Sequence, residues 1–285
     1  MPVIDDHAVQ AAGGITLANV PVPTSPMLAS ALRCAPIVLR DKFGDLSTAG
    51  WGPRQRLAFG HLTPADWYES LLDALVTPET IWLDVGCGHD LSPGNEATAR
   101  RLAERCGKLV GIDPSDNIDD NTFIHEKLRM PLEAHPPGRK YTLITLRMVA
   151  EHVEAPREVA NRLASLLLPG GRIVIYTVGG YAPSVLVAAS TPLWVHHAVK
   201  RLLWGTEEKD TFPTVYRMNT RPALKRLFCG EGLLEEMFEY LGDCRSTARF
   251  RLIQYVELSM WKLLSLVGLG YPEACILAVY RSAAP

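Results

Sequence analysis

The chain has almost no excess charge, with 29 Lys and Arg against 31 Asp and Glu and a formal net charge of −2 over 285 residues. Proteins that grip nucleic acid usually show a basic excess to meet the phosphates, so composition gives no case for a nucleic-acid partner. Paired cysteines are missing too. Cys34, Cys87, Cys106, Cys229, Cys244 and Cys275 are scattered without a Cys-x-x-Cys pair, which fits reduced thiols better than disulfides or zinc. Unbroken apolar runs are also absent. The stretch near Ile15–Leu39 is interrupted by Pro21, Pro23, Pro26 and Pro36, and that near Tyr181–Trp204 by Pro183, Pro192, two histidines and Lys200-Arg201. No stable membrane insertion is expected of either. The opening Met1-Pro2-Val3-Ile4-Asp5-Asp6 is acidic where an export signal would be basic, so a cytoplasmic location is expected.

Hydrophobic residues make up 47% and charged residues 21%, enough for one elaborated α/β domain or a core with a modest cap. Residues 1–50, rich in Ala, Pro and small polar residues, read as a loosely structured arm. An N-terminal arm or cap over 1–62 and a main domain over 63–285 are the expected division. Thr63-Pro64-Ala65-Asp66 supplies a capping hydroxyl, a proline at the first helical position and an acid three residues on, with Trp67, Leu71, Ala74 and Leu75 at helical spacing.

Strand and helix then alternate. Ile81–Val85, Leu109–Ile112, a weaker Thr122–His125, Tyr141–Leu146 and Arg172–Thr177 read as strands; Glu96–Cys106 and Pro156–Leu168 read as helices. This order predicts an α/β fold with a mostly parallel sheet covered on both faces and ligands at the strands' carboxyl ends. Past Thr177 the alternation lapses. Residues 178–218 suggest a lid with His196-His197, Trp204, Phe212 and Tyr216, and the charged Glu207–Asp210 segment a solvated turn. A helix from Thr220-Arg221-Pro222, a strand around Met237–Leu241, a second lid element at 245–270 built on a helix near Ala248–Val267, and a last strand Ala274–Arg281 follow. That late helix has Arg251, Gln254 and Glu257 along one stripe and apolar residues elsewhere, as expected of packing on the cap or on another subunit, which admits a homodimer.

The sharpest motif is Leu83-Asp84-Val85-Gly86-Cys87-Gly88, a strand running into glycines that let a ligand approach the backbone. A nicotinamide dinucleotide competes for such a loop, but its fingerprint requires a third glycine where this chain has Leu91. The second strand ends in Asp113, some 25 residues beyond Gly88, where a carboxylate can accept ribose hydroxyls.

Together with Val110-Gly111-Ile112-Asp113, Tyr141-Thr142-Leu143-Ile144-Thr145, Glu151-His152-Val153 and Leu168-Pro169-Gly170-Gly171, that loop resembles the successive motifs of class I S-adenosylmethionine-dependent methyltransferases. The likeness is nearest to the small-molecule group that includes ubiquinone and menaquinone methylases, and it covers about residues 65–180. It implies a Rossmann-like seven-stranded core. Asp84, Gly86, Cys87 and Gly88 would frame the methionine part of S-adenosylmethionine, with Asp113 on the ribose, Pro114 or Ser115 beside the adenine, Glu126 toward the adenine amino group and Leu146 at the fourth strand's end. His152 and Arg147 are the catalytic candidates, His152 as a general base. Met148, Tyr181 and Tyr216 would line the acceptor pocket.

Three departures stand out. His89-Asp90 follows the loop where a third glycine is frequent, and Thr142 replaces a usual Asp. Met148 stands where some quinone methylases carry a metal-binding acid, so no metal is expected. The implied reaction is methyl transfer to a small, partly apolar acceptor, with oxygen first and carbon or nitrogen open. The rivals are a regulatory S-adenosylmethionine-binding protein without turnover and a dehydrogenase.

Overall fold

The computed structural model describes residues 17–190, 214–245 and 248–283, with the side chains of 187–190 set aside. His196, His197, Trp204, Phe212 and the Glu207–Asp210 turn lie outside the described residues, as does most of the 178–218 lid.

Contacts divide the chain into two compact units, neither of which follows a boundary at residue 62. The first gathers the chain up to Val76 with Ser92–Leu102 and Gly242–Tyr271. Within the stretch expected to be loose, residues 26–43 are helical: α1 spans Pro26–Phe43, with Pro26 opening it and Pro36 inside it. Leu28, Ala31, Ala35, Val38 and Leu39 form its buried stripe. Helix α2 covers Trp51–Phe59 and α3 covers Pro64–Leu75. Thr63 and Asp66 make the reciprocal capping box read from the sequence, through Thr63 Oγ1 and Asp66 Oδ2. Helix α8, Arg251–Leu266, completes this unit's long helices.

The second unit holds the sheet. Its strands are β1 (Ile81–Val85), β2 (Lys108–Ile112), β3 (Glu126–Leu128), β4 (Tyr141–Arg147), β5 (Leu167–Val178), β6 (Leu233–Gly242) and β7 (Ala274–Ser282). They lie in the order β3-β2-β1-β4-β5-β7-β6. β1 to β5 pair in parallel with their neighbours, while β7 runs antiparallel to β5 from Arg172↔Arg281 to Val178↔Cys275. The third strand therefore begins where the expected Thr122–His125 ends. Helix α4, Glu96–Arg105, belongs for most of its length to the first unit, while α5 (Pro156–Leu166), α6 (Pro183–Ser190) and α7 (Arg221–Gly230) belong to the second, α7 capped by Thr220 Oγ1 accepting from Ala223 N–H. Leu83, Val110, Ile144, Ile173, Ile276 and Ala278 are fully or nearly fully buried in the core. Continuous apolar strands of this kind are what a sheet covered on both faces requires. No helix among the described residues is long and apolar enough to cross a membrane.

Candidate functional site

The parallel strands bring the carboxyl ends of β1, β2 and β4 together, because β1 lies between the other two. The loop leaving β1 turns sharply: Gly86 has φ 66° and Gly88 φ 47°, a region open to glycine at little cost. Gly86 N–H donates to Ile112 O at 2.8 Å, tying the turn to the end of β2. The two glycines serve different ends. A Cβ on Gly86 would come within 2.4 Å of Val149 Cγ2, so the absence of a side chain here makes room for protein. A Cβ on Gly88 would stand in open space, with nothing among the described residues within 4 Å.

Asp113 ends β2 beside this opening. Its Oδ2 accepts from Gly88 N–H (2.9 Å), and its Oδ1 accepts from Ser115 N–H (2.8 Å) and Ser115 Oγ (2.6 Å). A carboxylate offers about four lone-pair positions, so one more donor is met outright and a second needs the Ser115 hydroxyl to rotate away. Pro114, between them, is exposed.

Asp84 is buried under the loop. Trp82 Nε1 donates to Thr145 Oγ1 (2.7 Å), and Thr145 Oγ1 donates to Asp84 Oδ1 (2.6 Å). Burial pushes the Asp84 carboxyl up from 3.8 to about 6; the Thr145 bond and the Arg147 charge pull it back, and the Asp113 charge adds to the rise. The polar partner of Asp84 is thus Thr145. Thr142, which holds the usual Asp position, instead clasps the amino end of β1 through Ile81 N–H and Ile81 O. Cys87 is buried with its sulfur 2.7 Å from where a Cβ on Gly111 would stand, and burial beside Asp84 and Asp113 raises its thiol far above the ordinary range. It packs the loop and offers no reactive thiolate at neutral pH.

Sequence reasoning missed Asn121. Fully buried, it donates Nδ2 to the carbonyls of Cys87 and Gly88 (3.2 Å each) and accepts from Phe123 N–H through Oδ1 (3.1 Å). It follows a short 3-10 turn, Asp116–Asp120, in an acidic stretch where one asparagine gives no periodic or motif signal.

Two expected cofactor contacts are not brought to the opening. Glu126 begins β3 opposite Val110, and its carboxylate pairs with Lys108 Nζ (2.6 Å) and the Arg139 guanidinium. Lys108 is the first residue of β2, so Glu126 faces the amino ends of the strands and the adenine role is withdrawn. Leu146 is wholly buried in the sheet core with Val85 and Ile175 as strand neighbours, so its side chain packs the core.

The end of β4 carries the rest. Arg147 Nη2 reaches Asp90 O at 3.4 Å, holding the far side of the glycine loop. Met148 follows with φ 56°, and its N–H donates to Tyr176 O (2.7 Å). Only one other non-glycine residue among those described, Tyr216 at φ 50°, has a positive φ. Such strained backbone collects at functional sites. Glu151 links the two regions. Its Oε2 accepts from Thr177 Oγ1 (2.6 Å), whose oxygen accepts from Asn219 Nδ2 (3.0 Å), and its carbonyl accepts from Val215 N–H and Tyr216 N–H. His152, half-buried, ends the same 3-10 turn, Ala150–His152. Tyr181, just before α6, is exposed. No trio of His, Cys, Asp or Glu among the described residues is grouped to hold a metal.

The comparisons with known proteins fit this geometry. The family model for a methyltransferase domain matches residues 56–233. A ubiquinone biosynthesis O-methyltransferase of Leptothrix cholodnii is 28% identical over 182 residues, covering 60% of this chain and 74% of that protein. Its namesake from Coxiella burnetii is 24% identical over 146 residues, 48% of this chain and 60% of that protein. Among solved structures, a chain from the complex of the Haloferax volcanii Trm112 methyltransferase activator with a methyltransferase aligns with a TM-score of 0.51 at 13% identity, over 82% of this chain and 95% of that one, a likeness of fold. The open approach over Gly88 and the Asp113 carboxylate beside it fit S-adenosylmethionine, and the chain belongs to the methyltransferase-domain family as a class I S-adenosylmethionine-dependent methyltransferase.

Proposed function

We propose that the protein methylates an oxygen of a small, partly apolar organic acceptor. The observation that carries this reading is the Glu151 carbonyl accepting from Val215 and Tyr216, which draws Tyr216 to the turn bearing His152 beside strained Met148. That gathering at the carboxyl end of β4 gives an acceptor a place next to the cofactor loop. The names of the Leptothrix and Coxiella relatives support oxygen as the nucleophile.

When bound, S-adenosylmethionine supplies an already activated methyl group, so alignment accounts for much of the acceleration. Asp113, with Gly88 and Ser115, orients the ribose hydroxyls. Arg147 and Asn121 hold the glycine loop from opposite sides. His152 takes the proton from the acceptor hydroxyl as a general base. Met148 and Tyr216 shape the acceptor's seat. The near-neutral charge of the chain supports a small acceptor over a nucleic acid, and six free thiols support a reducing, cytoplasmic setting.

Turnover of labelled S-adenosylmethionine against a panel of hydroxylated aromatics, amines and carbon acids tests the reading. Wild-type protein is expected to label the hydroxylated compounds, with His152→Ala lowering kcat at least tenfold while the affinity for S-adenosylhomocysteine stays unchanged. Labelling confined to amines, or cofactor binding with no turnover on any class, overturns it.

A further inference from the structure

Helix α8 turns Gln254, Glu257, Leu258 and Trp261 inward and a row of aliphatic residues outward. Within its own unit, Gln254 Nε2 donates to Cys244 O (3.5 Å) and Glu257 Oε1 accepts from the Tyr271 hydroxyl (3.1 Å), while Trp261 meets His61 edge-on at 4.7 Å. The outward side repeats Leu252, Val256, Leu263 and Leu266 at helical spacing, with Leu252 79% and Leu266 74% exposed. Aliphatic patches of this extent on soluble proteins mark interaction surfaces.

Charge indicates what meets it. From Ala248 to Gly270 the one acid, Glu257, is buried, and the outward side presents no carboxylate. Exposed Arg249 and Arg251 flank the amino end of α8, where the helix dipole is already positive and a cation is unfavourable. Arg251 lies over the Trp51 ring at 5.8 Å, which steadies it with its N–H edge available. The carboxyl end has the opposite character: no base stands in the last turn and the terminal carbonyls form a negative pole. An antiparallel pair of such helices places each cationic end beside the other's carbonyl end. A membrane surface would instead favour cations along the edges of the apolar face. Here Lys262, the one cation within α8 beyond its first residue, donates to Asn19 O of its own chain (3.3 Å).

We propose that the outward side of α8 docks on the same helix of a second copy, antiparallel, about a two-fold axis near Ser259. Leu252 then meets the partner's Leu266, and one apolar row closes on itself, as an isologous interface requires.

Analytical ultracentrifugation of the full chain tests this. The wild type is expected to sediment as a dimer. Val256→Glu is expected to raise the dissociation constant at least a hundredfold with circular dichroism unchanged, and Arg251→Glu to raise it about tenfold. Should Val256→Glu not fold, cysteine pairing decides: oxidised L252C/L266C forms a covalent dimer well beyond the wild-type background and L252C alone does not. A monomeric wild type, a dimer indifferent to Val256→Glu, or covalent dimers from L252C alone overturns the proposal. So does a wild-type monomer captured by anionic vesicles of phosphatidylglycerol and phosphatidylcholine, with Val256→Glu abolishing the capture.

Discussion

Gly88 N–H donates to Asp113 Oδ2 across 2.9 Å, so the tip of β2 holds the loop leaving β1 through the carboxylate assigned to the ribose. Asp113→Ala removes the carboxylate proposed to accept from the ribose hydroxyls and loosens the loop together. Hydrogen bonds to charged groups are worth roughly 1.5–3 kcal/mol, so binding of S-adenosylhomocysteine is expected to weaken roughly ten- to a hundredfold. Calorimetry checks this, and unchanged affinity in a folded variant would place the cofactor elsewhere.

Gly86 and Gly88 are expected to fail differently. Gly86→Val puts a branched side chain at φ 66° against Val149, so the fold should lose several kcal/mol by the overpacking and strain scales. Gly88→Ala meets only its φ of 47°, costing about 1 kcal/mol, and places a methyl over the opening. Thermal unfolding and cofactor titration on both variants separate the two losses. Equal stability losses would contradict this.

Asp84→Asn gives a pH signature. The folded carboxyl titrates at about 6, above its ordinary 3.8. A raised folded value means the stabilisation is complete below the unfolded value and lost as pH rises through 6. The variant should therefore gain on the wild type between pH 4 and pH 7, by up to on the order of 3 kcal/mol. Urea unfolding at both pH values measures the change, and a difference independent of pH would refute the burial argument.

Asn121→Ala releases the Cys87 and Gly88 carbonyls while leaving Asp113 in place. A weaker cofactor affinity with acceptor KM little changed is the expected split in steady-state kinetics. A loss in acceptor KM alone would assign Asn121 to the other side of the site.

Turnover is expected to survive EDTA, because Met148 stands where the resemblance implies that some quinone methylases carry a metal-binding acid. Activity abolished by chelation and restored by a divalent ion would contradict this.

Much of this was written locally in the chain. The glycine turn, the acid at the end of β2 and the alternation through β5 are short-range patterns that periodicity and motif spacing report. Helix α1 is hard to see in the sequence because Ala, Pro and small polar residues around it blur the period, although Pro26 only starts it and Leu28, Ala31, Ala35 and Val38 carry helical spacing. Glu126 was misplaced because its role depends on register: two residues decide whether a side chain faces the strand's opening or its base. Asn121 and Thr145 act through partners more than thirty residues away, and nothing in their own neighbourhoods announces it.

The seating of β7 between β5 and β6 sets an order in time. When β6 leaves the ribosome, the strand that must separate it from β5 has not been made, and about thirty residues must still be synthesised. At roughly 5–20 residues per second, two sheet edges stay open for seconds on every nascent chain. During that interval the four strands β1 to β4 already have all their neighbours, so the cofactor loop can form before the sheet is closed. Exposed edges invite pairing with other chains. Ligand that binds early would thus favour the productive path during translation, when the chain is most open to aggregation.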